Sequence, residues 1–333
     1  MNPFEYSSPA RLEDALAQLS GRWDETALLA GGTDLITSLK QRIAAPRRVI
    51  SLKAVAALKG IHVSDGQVHV GAMTALAEMD EHEAIRKHFP SLIQAIHAIG
   101  SPQIVAMATL GGNLCQRPRC WYFRQGFGLL GQQDGKSLIP GGDNRYHAIF
   151  GNQGPAYFVS PSSLAPALIA LEATVSIAGP GGRAPSAGWS RQLKLGEFFR
   201  IPQTADERET VLTPNEIMTG VSIPTSKPAN ATYKVRERSG LDWALVTACV
   251  AFESPAAARR ASVVLAHVAP VPWPVPKAAA VLEGQRVDEP LAAKAGEAAA
   301  EGATPLGKNA YKVQLVKTAV RRAILLAAGL LEG

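Results

Sequence analysis

Apolar residues recur along this chain with two different periods. Leu12, Ala15, Leu16 and Leu19 are spaced three or four apart, one face of a short helix, with Ser8 and Pro9 supplying a cap and a first-turn proline. "TALLA" (Thr26 to Ala30) is a compact apolar run that predicts a strand. Gly31 and Gly32 turn the chain, and Leu35, Ile36 and Leu39 return to helical spacing. "RRVISL" predicts another strand. "GIHVSDGQVHVGA" alternates apolar and polar positions around Asp65-Gly66, a β-hairpin signal. "PSLIQAIHAIG" is amphipathic again and ends at Gly100. From Asn113 to about Gly154 the periodicity fails, and a stretch that long inside a compact domain is functional or disordered. Order resumes with "AYFVS", followed by a helix in "SSLAPALIALEA" and strands in "TVSIAG" and "EIMTGVSIP".

"TSKPANAT" reads as a linker, which divides the chain near residue 228. Beyond it "ATYKVRER", "WALVTACVAFE" and "RASVVLAHVA" predict three antiparallel strands, although "WALVTACVAF" fits a helix equally well. A turn studded with Pro270, Pro272, Pro274 and Pro276 leads into helices. The last runs from about Ala310 to Leu326, with Val313, Val316, Val320 and Ile324 on its apolar face.

Composition narrows the class. The 333 residues suffice for two or three compact units, and 47% hydrophobic with 19% charged residues is the balance of a globular protein. The formal charge of +6 raises a nucleic-acid reading, but Lys and Arg are dispersed. Arg117/Arg119/Arg124, Lys234/Arg236/Arg238 and Arg259/Arg260 are among the denser groups. They suit solvated faces or an acidic partner better than nucleic acid. No apolar run approaches the roughly 18 residues of a membrane span. "MNPFEYSSPARLEDAL" has neither a basic nor an apolar export region, and three cysteines form no disulfide framework. A cytoplasmic location is therefore expected, with export on a signal-bearing partner as the alternative.

Several motif matches fail. "GQQDGKS" has three residues between its glycines where a phosphate loop needs four. "GFGLLG" lacks the flanking strand and helix of a dinucleotide fold. "HEAIR" lacks the second histidine of a zinc helix, and no nucleophile, base and orienter assemble by spacing, so no catalytic residue is assigned. Two diglycine turns remain. In "AGGTDL", Gly31 and Gly32 would offer backbone N–H groups, Thr33 a hydroxyl, and Asp34 a cap for the helix it opens. "ATLGGNL" repeats this chemistry with Thr109, Gly111, Gly112 and Asn113. Two such turns suit one diphosphate, and they also suit ordinary tight turns. Cys249 reads as a buried small hydrophobe. Cys115 and Cys120, beside Arg117 and Arg119, read as activated thiolates or metal ligands, although two sulfurs fall short of a cluster site.

In order, "LLAGGTDL", "GSPQIVAMATLGGNLCQRPRCWYFR", "NRYHAIFG", "SPSSLAPALIAL", "NEIMTGVSIP" and "YKVRERSGLDWALVTACVA" resemble the FAD-binding subunit of molybdenum hydroxylases. That is the xanthine dehydrogenase, carbon monoxide dehydrogenase and aldehyde oxidase group, and the likeness is greatest to the medium subunit of bacterial three-subunit aldehyde oxidoreductases. It runs from about residue 3 to 330. It implies an α+β fold: a vanillyl-alcohol-oxidase-type (PCMH-type) FAD-binding domain at 1–227, in subdomains of about 1–58 and 59–227 with a long loop at 114–154. A smaller domain of the CO dehydrogenase flavoprotein type, with a three-stranded antiparallel sheet and helices, would follow at 228–333.

By the same resemblance FAD binds without a covalent link. Leu28, Leu29, Ala30, Gly31, Gly32, Thr33, Asp34 and Leu35 would wrap its diphosphate, with Thr109, Gly111, Gly112 and Asn113 on the other side. Ile99 would lie near the flavin, Ile217 or Met218 near the adenine, and Lys234 would reach the cofactor from the second domain. Ser163 stands where relatives place an aspartate, and it brings no charge. Relatives of the aldehyde oxidoreductase type hold a [4Fe-4S] cluster on four cysteines around the loop. Only Cys115 and Cys120 are kept here, so no cluster and no metal are expected in this chain. The implied partners are a small [2Fe-2S] subunit and a large molybdopterin subunit, with electrons passing through this chain to a terminal acceptor. A self-sufficient flavin oxidase and a non-redox nucleotide- or RNA-binding module are the competing readings.

Overall fold

The computed structural model describes residues 1–179 and 191–332. Three sheets organise it. In the first, β1 (Glu5–Ser7), β2 (Thr26–Leu29) and β3 (Arg48–Ser51) are parallel, with β3 in the middle. Val49, Ile50 and Ser51 are buried there, as a central parallel strand requires. Helix Leu12–Leu16 starts later than Ser8 and Pro9 suggest, with Arg11 at its N-cap and no capping side chain. Ser7 pairs with Ile50, which keeps the chain extended until it has left the sheet.

The hairpin signal is realised as β4 (Ile61–Ser64) and β5 (Gln67–Gly71), turned by Asp65 and Gly66, both with positive φ. A two-strand ribbon, β6 (Gln132–Gln133) and β7 (Lys136–Ser137), lies in the long loop. β8 (Thr174–Ala178), β9 (Arg191–Lys194) and β10 (Ile217–Pro224) complete a five-stranded antiparallel sheet in the order β4-β5-β10-β8-β9. The loop is compact. Its short helix Trp121–Arg124 sets Phe123 against Leu129, Leu130, Ala156 and Phe158, so "AYFVS" contributes buried side chains without joining a sheet.

The third sheet holds β11 (Ala229–Val235), β12 (Val246–Phe252), β13 (Ser262–Ala266) and β14 (Trp273–Pro274), all antiparallel. The fourth strand corrects the expected three. It comes from the proline-rich turn and sits at the edge, where proline costs no ladder bond. Every residue of β12 is buried. Cys249 and Ala251 join the core of the second sheet, while Val246, Ala248, Val250 and Phe252 join that of the C-terminal helices. Burial on both faces explains a continuous apolar run that also suits a helix.

Helices Pro276–Leu282, Glu289–Ala300 and Tyr311–Ala327 cover the outer face. Gly296 permits their closest crossing, since a Cβ there would lie 2.6 Å from the Lys317 carbonyl oxygen. Inside, the Lys312 ammonium donates to the carbonyls of Tyr146 (3.0 Å), His147 (3.2 Å) and His267 (2.8 Å). Burial pushes it down to about 7. Burial, reinforced by neighbouring lysines, also pushes His147 down to about 4 and His267 down to about 3.

The unfolded imidazoles protonate near pH 6.5 whereas the folded ones resist. Stability therefore falls as pH drops below about 6.5, by up to about 1.4 kcal/mol per pH unit for each histidine. Chemical denaturation midpoints measured between pH 7 and pH 5 check this, and a flat profile contradicts it.

Candidate functional site

β2 delivers the chain to a turn that only glycine can make at Gly32, where φ is +84°. Gly31 meets a different demand. A Cβ there would stand 1.8 Å from the Met107 carbonyl oxygen. The segment it touches runs into helix Leu110–Leu114, where a Cβ on Gly111 would lie 3.0 Å from Ala72 and one on Gly112 would lie 3.8 Å from the Ala30 side chain. The two diglycine corners are thus in contact. At Gly31 and Gly111 the missing Cβ makes room for neighbouring protein.

Counting donors separates the corners. The N–H groups of Leu110 and Gly111 donate to the carbonyls of Thr74 (3.0 Å) and Ala72 (2.8 Å), and that of Gly112 to Thr109 Oγ1 (3.1 Å). Asn113 N–H donates to the Thr109 carbonyl at 2.8 Å. At the second corner the amides from Leu110 to Asn113 are all paired and that of Thr109 finds no acceptor among the described residues, so the corner offers one free amide where the first offers five. By contrast, the five consecutive N–H groups from Gly31 to Leu35 find no acceptor among the described residues. Such a run of aligned donors is an anion cradle.

Asp34 holds the N-cap position of helix Leu35–Lys40, but its carboxylate does not cap that helix. It accepts from Arg117 N–H (2.9 Å), Arg124 Nη2 (3.0 Å) and the Arg119 guanidinium. Burial alone would raise the Asp34 carboxyl. The field of Arg119, with the Arg117 N–H and Arg124, outweighs it and holds the group below the usual carboxylate range.

A cavity of about 930 Å³ opens beside this cradle and reaches the start of β10. Leu28, Ala30, Gly31, Gly32, Thr33, Asp34, Leu35, Thr109, Gly111, Gly112, Ile217 and Met218 all line it. The other sequence-nominated residues stand outside that lining. Leu29 continues β2. Asn113 Oδ1 accepts from Ser162 Oγ (2.8 Å) and Leu164 N–H (3.3 Å), tying two segments together, while Ser163 is half-buried beside them. Ile99 and Lys234 meet elsewhere. Lys234 Nζ donates to the carbonyls of Ala98 (2.7 Å) and Asp242 (3.0 Å), and burial, aided by Arg236, pushes it down to about 8.

Sequence reasoning missed the mouth of the cavity. There Arg208 stacks on the Trp23 ring at 4.8 Å, and Arg117 Nε donates to Glu209 at 2.9 Å. No local pattern signals pairs so distant in the chain. It also left the role of Cys115 and Cys120 open. Cys115 faces the cavity, yet the surrounding protein and then Glu209 push its thiol up to about 12. Burial raises Cys120 too, and its Sγ lies 3.2 Å from His147 Nε2. Both shifts run against the thiolate form. Among the described residues no three His, Cys, Asp or Glu are placed to hold a metal ion, and no helix is long and apolar enough to cross a membrane.

A family model described as the FAD binding domain in molybdopterin dehydrogenase matches residues 2–226, and one for the CO dehydrogenase flavoprotein C-terminal domain matches 231–327. The chain belongs to the FAD-binding subunits of the molybdenum hydroxylases. It is 30% identical over 300 residues to the aldehyde oxidoreductase FAD-binding subunit PaoB of Escherichia coli, covering 87% of each chain. It is 26% identical over 328 residues to the carbon monoxide dehydrogenase medium chain of Afipia carboxidovorans, covering 96% of this chain and 95% of that one. The structure of the Cu,Mo-CO dehydrogenase in its cyanide-inactivated form superposes with a TM-score of 0.74 at 26% identity, covering 99% of this chain and 100% of that one.

This flavoprotein subunit is thus an oxidoreductase component, and its residues fit FAD. The free amides suit a diphosphate, and the cavity beside them has the size of a drug-sized ligand site. Gly31→Ala drives a methyl into the Met107 carbonyl and displaces the cradle. The purified variant should retain less than about a tenth of the wild-type flavin per chain and lose about 1–3 kcal/mol of stability. Visible flavin absorbance and a denaturant melt measure both.

Proposed function

We propose that this chain is the FAD-carrying electron-transfer subunit of a heterotrimeric molybdenum hydroxylase that oxidises an aldehyde or N-heterocycle. One observation carries the reading: five unpaired backbone donors, Gly31 to Leu35, border a cavity of dinucleotide size in a chain of this family. Bound FAD supplies a centre that takes electrons singly or in pairs, linking one-electron iron-sulfur centres to a two-electron acceptor. The protein's part is to bind and orient. Gly31 to Leu35 hold the diphosphate, Thr109 offers its hydroxyl from the facing corner, and Ile217 and Met218 give an apolar wall for the adenine. Ile99 and Lys234 border the flavin from the junction with the second domain. A cofactor-binding domain at 1–227 and a C-terminal domain at 228–333 accompany this assignment.

The relatives named as a medium chain and an FAD-binding subunit support membership of a larger complex. The partners are a small subunit with [2Fe-2S] clusters and a large molybdopterin subunit. Three free cysteines fit a reducing compartment, and the cytoplasm is the assigned location.

The complex, isolated through a tag on this chain, should be yellow and carry two further subunits. An aldehyde or N-heterocycle should bleach the flavin in the complex but leave the isolated FAD-loaded chain oxidised. Bleaching of the isolated chain at a comparable rate would point to a self-sufficient oxidase.

A further inference from the structure

The arginine-rich segment after the second corner has no role in the reading above. The Arg119 and Arg124 guanidiniums and the Arg117 backbone N–H converge on Asp34, and the Arg117 guanidinium pairs with Glu209. Three guanidiniums therefore meet two carboxylates, leaving the group one positive charge in excess. The set is held rigidly. Arg124 donates to Ser38 Oγ (2.9 Å) and to the Pro118 carbonyl (2.8 Å), Arg119 donates to Gln116 Oε1 (3.0 Å), and Phe123 lies under Arg117 and Arg124 at 5.1 and 5.5 Å. Asp34, Arg117 and Glu209 border the cavity, and Asp34 belongs to the run of free amides. An uncompensated carboxylate there would repel the anion that the amides attract.

Resting on the assignment of FAD to this cavity, we propose that the Asp34 knot tunes cofactor affinity: Asp34 anchors the 117–124 segment, and its arginines turn the cradle wall from negative to positive. Arg119 is a positioning residue. It acts through Asp34, with the amides making the direct contacts. The segment is thus an electrostatic part of the flavin site as well as a structural loop.

The test titrates FAD into the flavin-stripped full-length chain and follows flavin fluorescence, with circular dichroism as the check on folding. Arg119→Gln removes the excess positive charge of the group, leaving two guanidiniums against two carboxylates, and should weaken binding about tenfold or more. Adding Asp34→Asn to Arg119→Gln returns the group to one positive charge in excess and should restore affinity to within about threefold of wild type. Asp34→Asn alone, which raises the local charge by one, should bind at least as tightly as wild type. It also keeps the idea testable if Arg119→Gln does not fold. The proposal fails if Arg119→Gln binds like wild type, if the double variant stays as weak as the single one, or if folded Asp34→Asn loses affinity tenfold. A wild-type chain that takes up no FAD would bring down the cofactor assignment, and this proposal with it.

Discussion

The close approach of Gly31 to the Met107 carbonyl is the constraint on which the site depends. The loop after β2 and the end of helix Pro102–Met107 touch there with no side chain between their backbones, so the loop is braced from behind. That brace lets five amides stay unpaired at a cavity wall instead of closing on neighbouring carbonyls. These donors stand at a half-buried wall, where solvent or a ligand can reach them. Here the surrounding fold holds them open.

The same economy shows in the unequal treatment of the two diglycine corners. The second is closed by Thr74, Ala72 and its own Thr109, which makes it a rigid buttress. A buttress and a cradle in contact place a ligand more exactly than two open loops, because only one surface has to adapt.

Charge is handled in a comparable way. Much of the basic character near residues 117–124 is turned inward onto Asp34 and Glu209, so the arginine cluster is no open platform for nucleic acid. At the domain junction, Asn230 accepts from Ser91 N–H and donates to the His88 and Lys227 carbonyls, while β12 contributes side chains to two cores at once. The C-terminal unit is therefore joined to the cofactor-binding unit through continuous packing.

Strand, hairpin and helix periodicities around residues 26–40, 61–71 and 311–327 were legible because each element buries one face, and a single buried face writes its period into the chain. The glycines at 31 and 32 suited an anion site and an ordinary tight turn alike, and it was the resemblance that named a ligand. What depended on contacts across the chain was decided by tertiary structure alone. Whether an amide is free depends on a carbonyl some forty residues away, as with Gly111 and Ala72. Whether Asp34 caps a helix or anchors arginines depends on a loop more than eighty residues downstream. The choice between strand and helix at β12, and the edge strand β14, lay beyond pattern reading for the same reason. Periodicity records how many faces of an element are buried, whereas partners are chosen only once the elements have packed.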